Sequence, residues 1–270
     1  MTQKIDKTTK IVDFHVHFFT DELAPKAIEK LTGAANIPNH SDGTLAGLKE
    51  SMRQAGIDLS VCQHIATKPN QTVTINRWAI DIQCAEVMSF GTIHPDFPGW
   101  EDEIDYLQRN GIKGIKFHPE YQNFIVTERR MYPLYEKIFS AGLTILFHAG
   151  GDLAYKPPFK CNPSGLLQLI NDFPHGNIVA AHMGGYRLWD AVETCLIGKR
   201  IYLDTSFGFD DLGAERMTKM ISLHGHEHIL FASDSPWAQQ KSELIKIQSL
   251  PLTNEAFENI LGVNAKKLLR

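Results

Sequence analysis

The stretch Ile11-Val12-Asp13-Phe14-His15-Val16-His17 decides how the rest of the chain is read. It is a short apolar run that ends in His-x-His. Side chains repeat every two residues along a β-strand, so both imidazoles face the same side. Two neutral imidazoles at one strand end form half of a divalent-metal site. The pair becomes decisive if later strands close on ligand-type residues at the same pole.

Further short apolar or β-branched runs recur at Leu59–Ile65, Val87–Ile93, Ile112–Phe117, Leu143–His148, Ile178–His182, Arg200–Asp204 and Ile229–Ala232, after a first strand at Lys10–His17. Several are continuous apolar runs, as expected of parallel strands covered on both faces. Helical periodicity marks Thr44–Gln54, Gln71–Cys84, Glu101–Arg109, Arg130–Ser140, Ser164–Asn171, Gly185–Leu196 and Asp211–Leu223, and Glu255–Ile260 and Asn264–Leu269 finish the chain. Gly56, Gly111 and Gly142 each stand just before a strand, where a helix C-cap glycine belongs. Eight strands alternating with helices predict an α/β fold, a (β/α)8 TIM barrel, as a single domain over residues 1–270. A doubly wound sheet would need a glycine-rich phosphate loop after an early strand, and none is present. The loop Ala149–Pro163, rich in Gly and Pro, would lie on the catalytic face.

The chain has 270 residues, 43% hydrophobic and 21% charged, which suits one soluble barrel of roughly 250 residues. A net charge of −4 without a basic run argues against a nucleic-acid partner. No apolar run approaches the roughly 18 residues that span a bilayer. The start, Met1-Thr2-Gln3-Lys4-Ile5-Asp6-Lys7, has no apolar signal core, and Cys62, Cys84, Cys161 and Cys195 form no CxxC or disulfide framework. The expected location is the cytoplasm, and the expected partner a small molecule.

In a barrel, catalytic groups project from the C-terminal ends of the strands. Those ends carry His15 and His17 on strand 1, Lys116 and His118 on strand 4, His148 on strand 5, His182 on strand 6 and Asp234 after strand 8. A lone histidine beside an apolar run is usually structural. Ligand-type groups on five strand ends at one pole are hard to explain by packing.

The ordered set HxH, His, His, Asp resembles the amidohydrolase superfamily over nearly the whole chain. The segments Gly-Ile-Lys-Phe-His-Pro, Phe-His-Ala-Gly, Ala-His-Met-Gly-Gly, Tyr-Leu-Asp-Thr-Ser and Ala-Ser-Asp-Ser-Pro-Trp are similar to its amidohydrolase 2 branch. That branch includes the aminocarboxymuconate-semialdehyde and resorcylate decarboxylases and related hydrolases. The resemblance implies that His15, His17, His148 and Asp234 hold one divalent ion. Zn2+ is the expected ion, with Mn2+ and Fe2+ as alternatives, in keeping with nitrogen ligands plus a carboxylate. It further implies that Asp234 and His182 are catalytic and move protons, His182 being open to a second metal instead. Lys116 is read as an ammonium beside a substrate carboxylate, with a carbamylated metal bridge and an outward structural lysine as the other readings. His118, Arg187 and Trp237 complete the expected substrate contacts, with support of the metal ligands as the other reading for His118 and a surface salt bridge as the equal reading for Arg187, and the resemblance leaves a homodimer open.

The leading expectation is metal-assisted hydrolysis of a C–O or C–N bond in a lactone, ester or amide. The alternative is a lyase, removing CO2 from, or hydrating, an unsaturated or aromatic carboxylic acid. A barrel with only a structural zinc is disfavoured, because such sites are closed and often cysteine-rich. His224-Gly-His226-Glu-His228 precedes strand 8, so it is read as a solvated loop at the opposite pole. His64 and His94 are read as supporting residues, Cys161 as buried packing, and Asp204 as a residue that orients a neighbour or caps a turn.

Overall fold

Apolar strands flanked by amphipathic helices bury both sheet faces, and here they close on themselves. The structure, a computed structural model, describes residues 10–270, so the polar start Met1–Lys7 lies outside the described residues. The strands are β1 (Val12–Val16), β2 (Leu59–Gln63), β3 (Val87–Thr92), β4 (Gly114–Phe117), β5 (Thr144–Phe147), β6 (Ile178–Ala180), β7 (Tyr202–Asp204) and β8 (Ile229–Leu230). Each pairs in parallel with the next, in the order β1-β2-β3-β4-β5-β6-β7-β8. The seam between β8 and β1 is made by Phe14 N–H donating to Phe231 O at 2.9 Å, Asp234 N–H to His15 O at 2.8 Å and His17 N–H to Ser235 O at 2.6 Å. The chain is a single-domain (β/α)8 TIM barrel.

An irregularity between Asp13 and Val16 breaks the β1–β2 register. Bulges beside active sites re-aim side chains, and this one lets consecutive residues reach the barrel interior. Phe14 meets Phe90 edge-on in an inner layer with Leu146 and Leu230, and His15 follows it inward. The larger apolar layer fills the space between barrel and helices. Asp13 ties that outer side together: its carboxylate accepts Ser233 N–H at 2.9 Å and the Gln240 amide at 2.8 Å. Burial pushes its pKa up to about 6, against those hydrogen bonds.

Helix ends follow their signals where caps are explicit. Thr44 accepts Gly47 N–H to start Leu45–Ala55, and Gly56 ends that helix at φ 73°. The segment Gly185–Leu196 is shorter than its pattern suggests, with a helix only over Trp189–Cys195. Within that segment Arg187 occupies left-handed backbone, which a helix excludes. Two helices, Ala24–Ala35 and Gln240–Gln248, are additional to those the sequence predicts. The first is alanine-rich and the second mostly polar. The 224–228 histidines do lie before β8, but they are not a solvated loop. His224 is buried with Nε2 2.9 Å from Ile201 O, and 226–228 form a short 3-10 turn.

Candidate metal centre

His15, His17 and Asp234 converge at the seam. His15 Nε2 is 3.1 Å from His17 Nε2, His17 Nε2 is 3.1 Å from Asp234 Oδ1, and His15 Nε2 is 3.6 Å from the same oxygen. A tetrahedral ion with bonds of about 2.0–2.1 Å holds its ligand atoms about 3.3 Å apart. The trio therefore fits one divalent ion. Its two imidazoles and one carboxylate leave further positions for small molecules. Burial alone would push the Asp234 carboxyl up, but the facing imidazoles of His15 and His17 hold it well below the usual carboxylate range. Asp234 is thus a carboxylate, the form that ligates. It sits at φ 67°, in left-handed backbone imposed by the seam and by a turn in which Trp237 N–H donates to its carbonyl.

The chemistry of the surrounding donors supports the same fit. Asp204 Oδ2 lies 2.9 Å from His15 Nδ1, so that nitrogen carries the proton and Nε2 presents its lone pair. A carboxylate behind a histidine is the usual support of a metal ligand. The other oxygen of Asp204 accepts His182 N–H at 2.9 Å and Ser206 N–H at 3.1 Å. Lys116 is buried, with Nζ 3.1 Å from His15 Nε2. Burial pulls its pKa down to about 8, opposed by Asp204 and Asp234, so at neutral pH it is mainly an ammonium. It points into the barrel, which disposes of the outward structural reading.

His148, expected as the fourth ligand, stands apart from this trio. Its Nε2 is 3.1 Å from Gly151 O, a carbonyl that can only accept, which places the proton there. Its Nδ1 faces His182 Nε2 at 3.1 Å. His182 in turn places a proton on Nδ1, 3.0 Å from Ser206 O. Two lone pairs therefore face each other across 3.1 Å, an arrangement that needs a shared proton or a cation between them. Burial, then the charges of His118 and His182, depress the basicity of His148.

His118, His148 and Asp152 form a second group of ligand-type atoms. It suits a metal poorly. The His118 and His148 rings stack at 4.1 Å and 14°, so their in-plane lone pairs run parallel instead of converging. His118 Nε2 is 3.3 Å from Asp152 Oδ2, and its other face stacks on Tyr121 at 3.8 Å. Burial, then the charge of Lys116, keeps His118 neutral.

These groups share a cavity of about 1170 Å³ with aromatic walls, among them Phe18, Trp78, Tyr121, Tyr186 and Trp237. Trp237 and His118 line it. Arg187 does not: its guanidinium is exposed and pairs with Asp211 at 3.4 Å, because its left-handed residue turns it toward the surface. His64 lines the cavity against Trp78, whereas His94 accepts Asp96 N–H and stays outside. Cys161 is buried, and burial pushes its thiol up out of reactive range. Sequence reading left Asp152, Tyr121 and Ser206 without roles. Of these only Asp152 carried a signal, an acid four residues after His148 on the long loop.

Comparison with known proteins gives the family and supports the fold. The sequence matches the family described as Amidohydrolase (Amidohydro_2) over residues 12–270. The chain belongs to the amidohydrolase family and is an enzyme. No sequence among curated proteins matches it. Solved structures similar in fold include an uncharacterised TIM-barrel protein of Bordetella bronchiseptica, with 19% identity, TM-score 0.71, and 96% and 98% of the two chains covered. Another is the 5-carboxyvanillate decarboxylase of Novosphingobium aromaticivorans complexed with manganese and 4-hydroxy-3-methoxy-5-nitrobenzoic acid, with 14% identity, TM-score 0.73, and 99% and 98% covered. A third is the 2,6-dihydroxybenzoate decarboxylase from Rhizobium, with 14% identity, TM-score 0.69, and 97% and 99% covered. Among the described residues no helix is long and apolar enough to cross a membrane.

Proposed function

We propose that this enzyme removes CO2 non-oxidatively from a small aromatic or unsaturated carboxylic acid. The observation that carries the reading is one floor shared by three features: a metal-fitting trio, a buried lysine, and an imidazole pair whose facing nitrogens call for a shared proton or a cation, all under aromatic walls. The decarboxylase activities of structural relatives favour the same lyase chemistry over the hydrolysis that the strand-end pattern suggests.

His15, His17 and Asp234 would hold the divalent ion, with His148 turned toward His182 and outside the trio. When bound, the ion would polarise substrate oxygens and offset charge as the C–C bond breaks. Zn2+ and Mn2+ both suit the donors, and manganese in the carboxyvanillate decarboxylase structure makes Mn2+ the first ion to supply. Lys116 would hold an anionic substrate oxygen. His182 would give its Nε2 proton to the carbon that carries the carboxylate. The C–C electron pair then returns to the substrate as CO2 departs, so one proton is consumed per CO2 formed. Asp234, held as a carboxylate, is the poorer donor. Tyr121, Tyr186 and Trp237 would exclude water and stack on the substrate.

Purified protein loaded with Mn2+ or Zn2+ should release CO2 from hydroxybenzoate-type acids, with deuterium from D2O replacing the carboxyl group. Hydrolysis of lactones or esters with no CO2 from any acid would overturn the lyase reading.

A further inference from the structure

The cavity is larger than the roughly 300–1,000 Å³ of most ligand sites and far larger than one aromatic ring requires. Its excess has a defined place. Beyond the trio the lining continues between the helices Ala24–Ala35 and Thr72–Asp81. The first helix carries two apolar stripes. Ala24 and Ile28 are buried against the protein. Leu23, Ala27 and Leu31, spaced four residues apart, face the cavity opposite Ile75 and Trp78, and Leu23 is 50% exposed. Its wall is chemically one-sided. From Phe18 to Trp78 the lining residues include Lys26 and Lys30, one helical turn apart, and no carboxylate.

We infer that the substrate is elongated: an apolar chain or second ring runs from the reacting acid along Ala27, Leu31 and Trp78 to a distal anionic group at Lys26 and Lys30. The inference rests on the lyase reading for which end reacts. Continuity with the catalytic cavity commits the groove to a substrate, since an occupant there also reaches Lys116. The paired lysines commit its far end to an anion such as a carboxylate or phosphate. The apolar stretch between them excludes a substrate that is polar throughout.

The test uses affinity, measured by calorimetry on the Mn2+-loaded protein. The probes are benzoate, 4-alkoxybenzoates of increasing chain length, and 4-(ω-carboxyalkoxy)benzoates of matching length. Affinity should rise roughly twofold or more per methylene while the chain lies in the groove. At the length that reaches the lysines, the terminal carboxylate should add roughly fivefold over the uncharged chain. K26E/K30E, at exposed positions that leave the fold intact, should erase or invert that last advantage. Ala27→Trp should abolish the dependence on chain length. Chain-length independence, or a terminal-carboxylate advantage unmoved by K26E/K30E, would overturn the inference. Failure of the lyase reading appears separately, as bound acids that release no CO2.

Discussion

Asp204 touches two histidines of the candidate site at once, through Oδ2 to His15 Nδ1 and through Oδ1 to the backbone of His182. Asp204→Asn keeps the shape and loses the charge that fixes the His15 tautomer. Metal affinity should fall about 10–100-fold, as read by equilibrium dialysis with elemental analysis. An unchanged affinity would mean that His15 needs no orienting partner. His182 separates from the trio by the same kind of test. His182→Asn should lower kcat by about 10²–10⁴-fold with metal content retained, since its ring faces His148 and Ser206. Loss of metal together with activity would instead make it a ligand.

The wall of the groove is held at the level of elements. Glu103 accepts Asn76 Nδ2 at 2.9 Å and both guanidinium nitrogens of Arg77, at 2.8 and 3.0 Å, pinning the helix Thr72–Asp81 to the helix Trp100–Arg109. Glu103→Ala removes charge-assisted bonds at a buried carboxylate and should cost about 2 kcal/mol, a fall of about 4–8 °C in Tm. Calorimetry that finds no shift would mean that packing alone fixes this helix. The strands were legible in the sequence because each is a dense apolar run ended by a turn or polar residue. Their last residues were harder. β8 is regular only over Ile229–Leu230, since the Thr205 hydroxyl replaces the ladder by bonding both N–H and C=O of Ala232. The ligand types at strand ends were legible as well, down to His15, His17 and Asp234. The position of His148 was not, because it depends on a carbonyl at Gly151 and on a ring stacked from another strand. Arg187 stayed open between cavity and surface for a similar reason: its direction follows a left-handed backbone that residue type does not announce. The helix Ala24–Ala35 was silent because its second apolar stripe faces a cavity instead of a core.

For the molecule as a whole, buried neutral histidines set the acid limit of stability. Burial, then the charge of His17, lowers the pKa of His64 to about 3 from an unfolded value of 6.5. The unfolded chain therefore binds the extra proton between those values. This contribution is fully present above pH 6.5 and is lost as pH falls from 6.5 toward 3, at about 1.4 kcal/mol per pH unit. Urea unfolding at stepped pH should show a slope smaller by about one proton in His64→Gln, and equal slopes would remove His64 from the account. A chelator should act on global stability too. A ligand present at 100 times its Kd adds about 2.7 kcal/mol, so Tm should drop on metal removal and return when the ion is restored. A Tm indifferent to chelation would place the ion outside the folded framework. The trio straddles the seam where the beginning of the chain meets strand eight, with His15 and His17 on one lip and Asp234 on the other. A ribosome-bound fragment ending before that last strand can own two of the ligands but never the site. With that ligand set, metal capture would be a late event in the life of each molecule, a clasp that fastens only on a finished barrel.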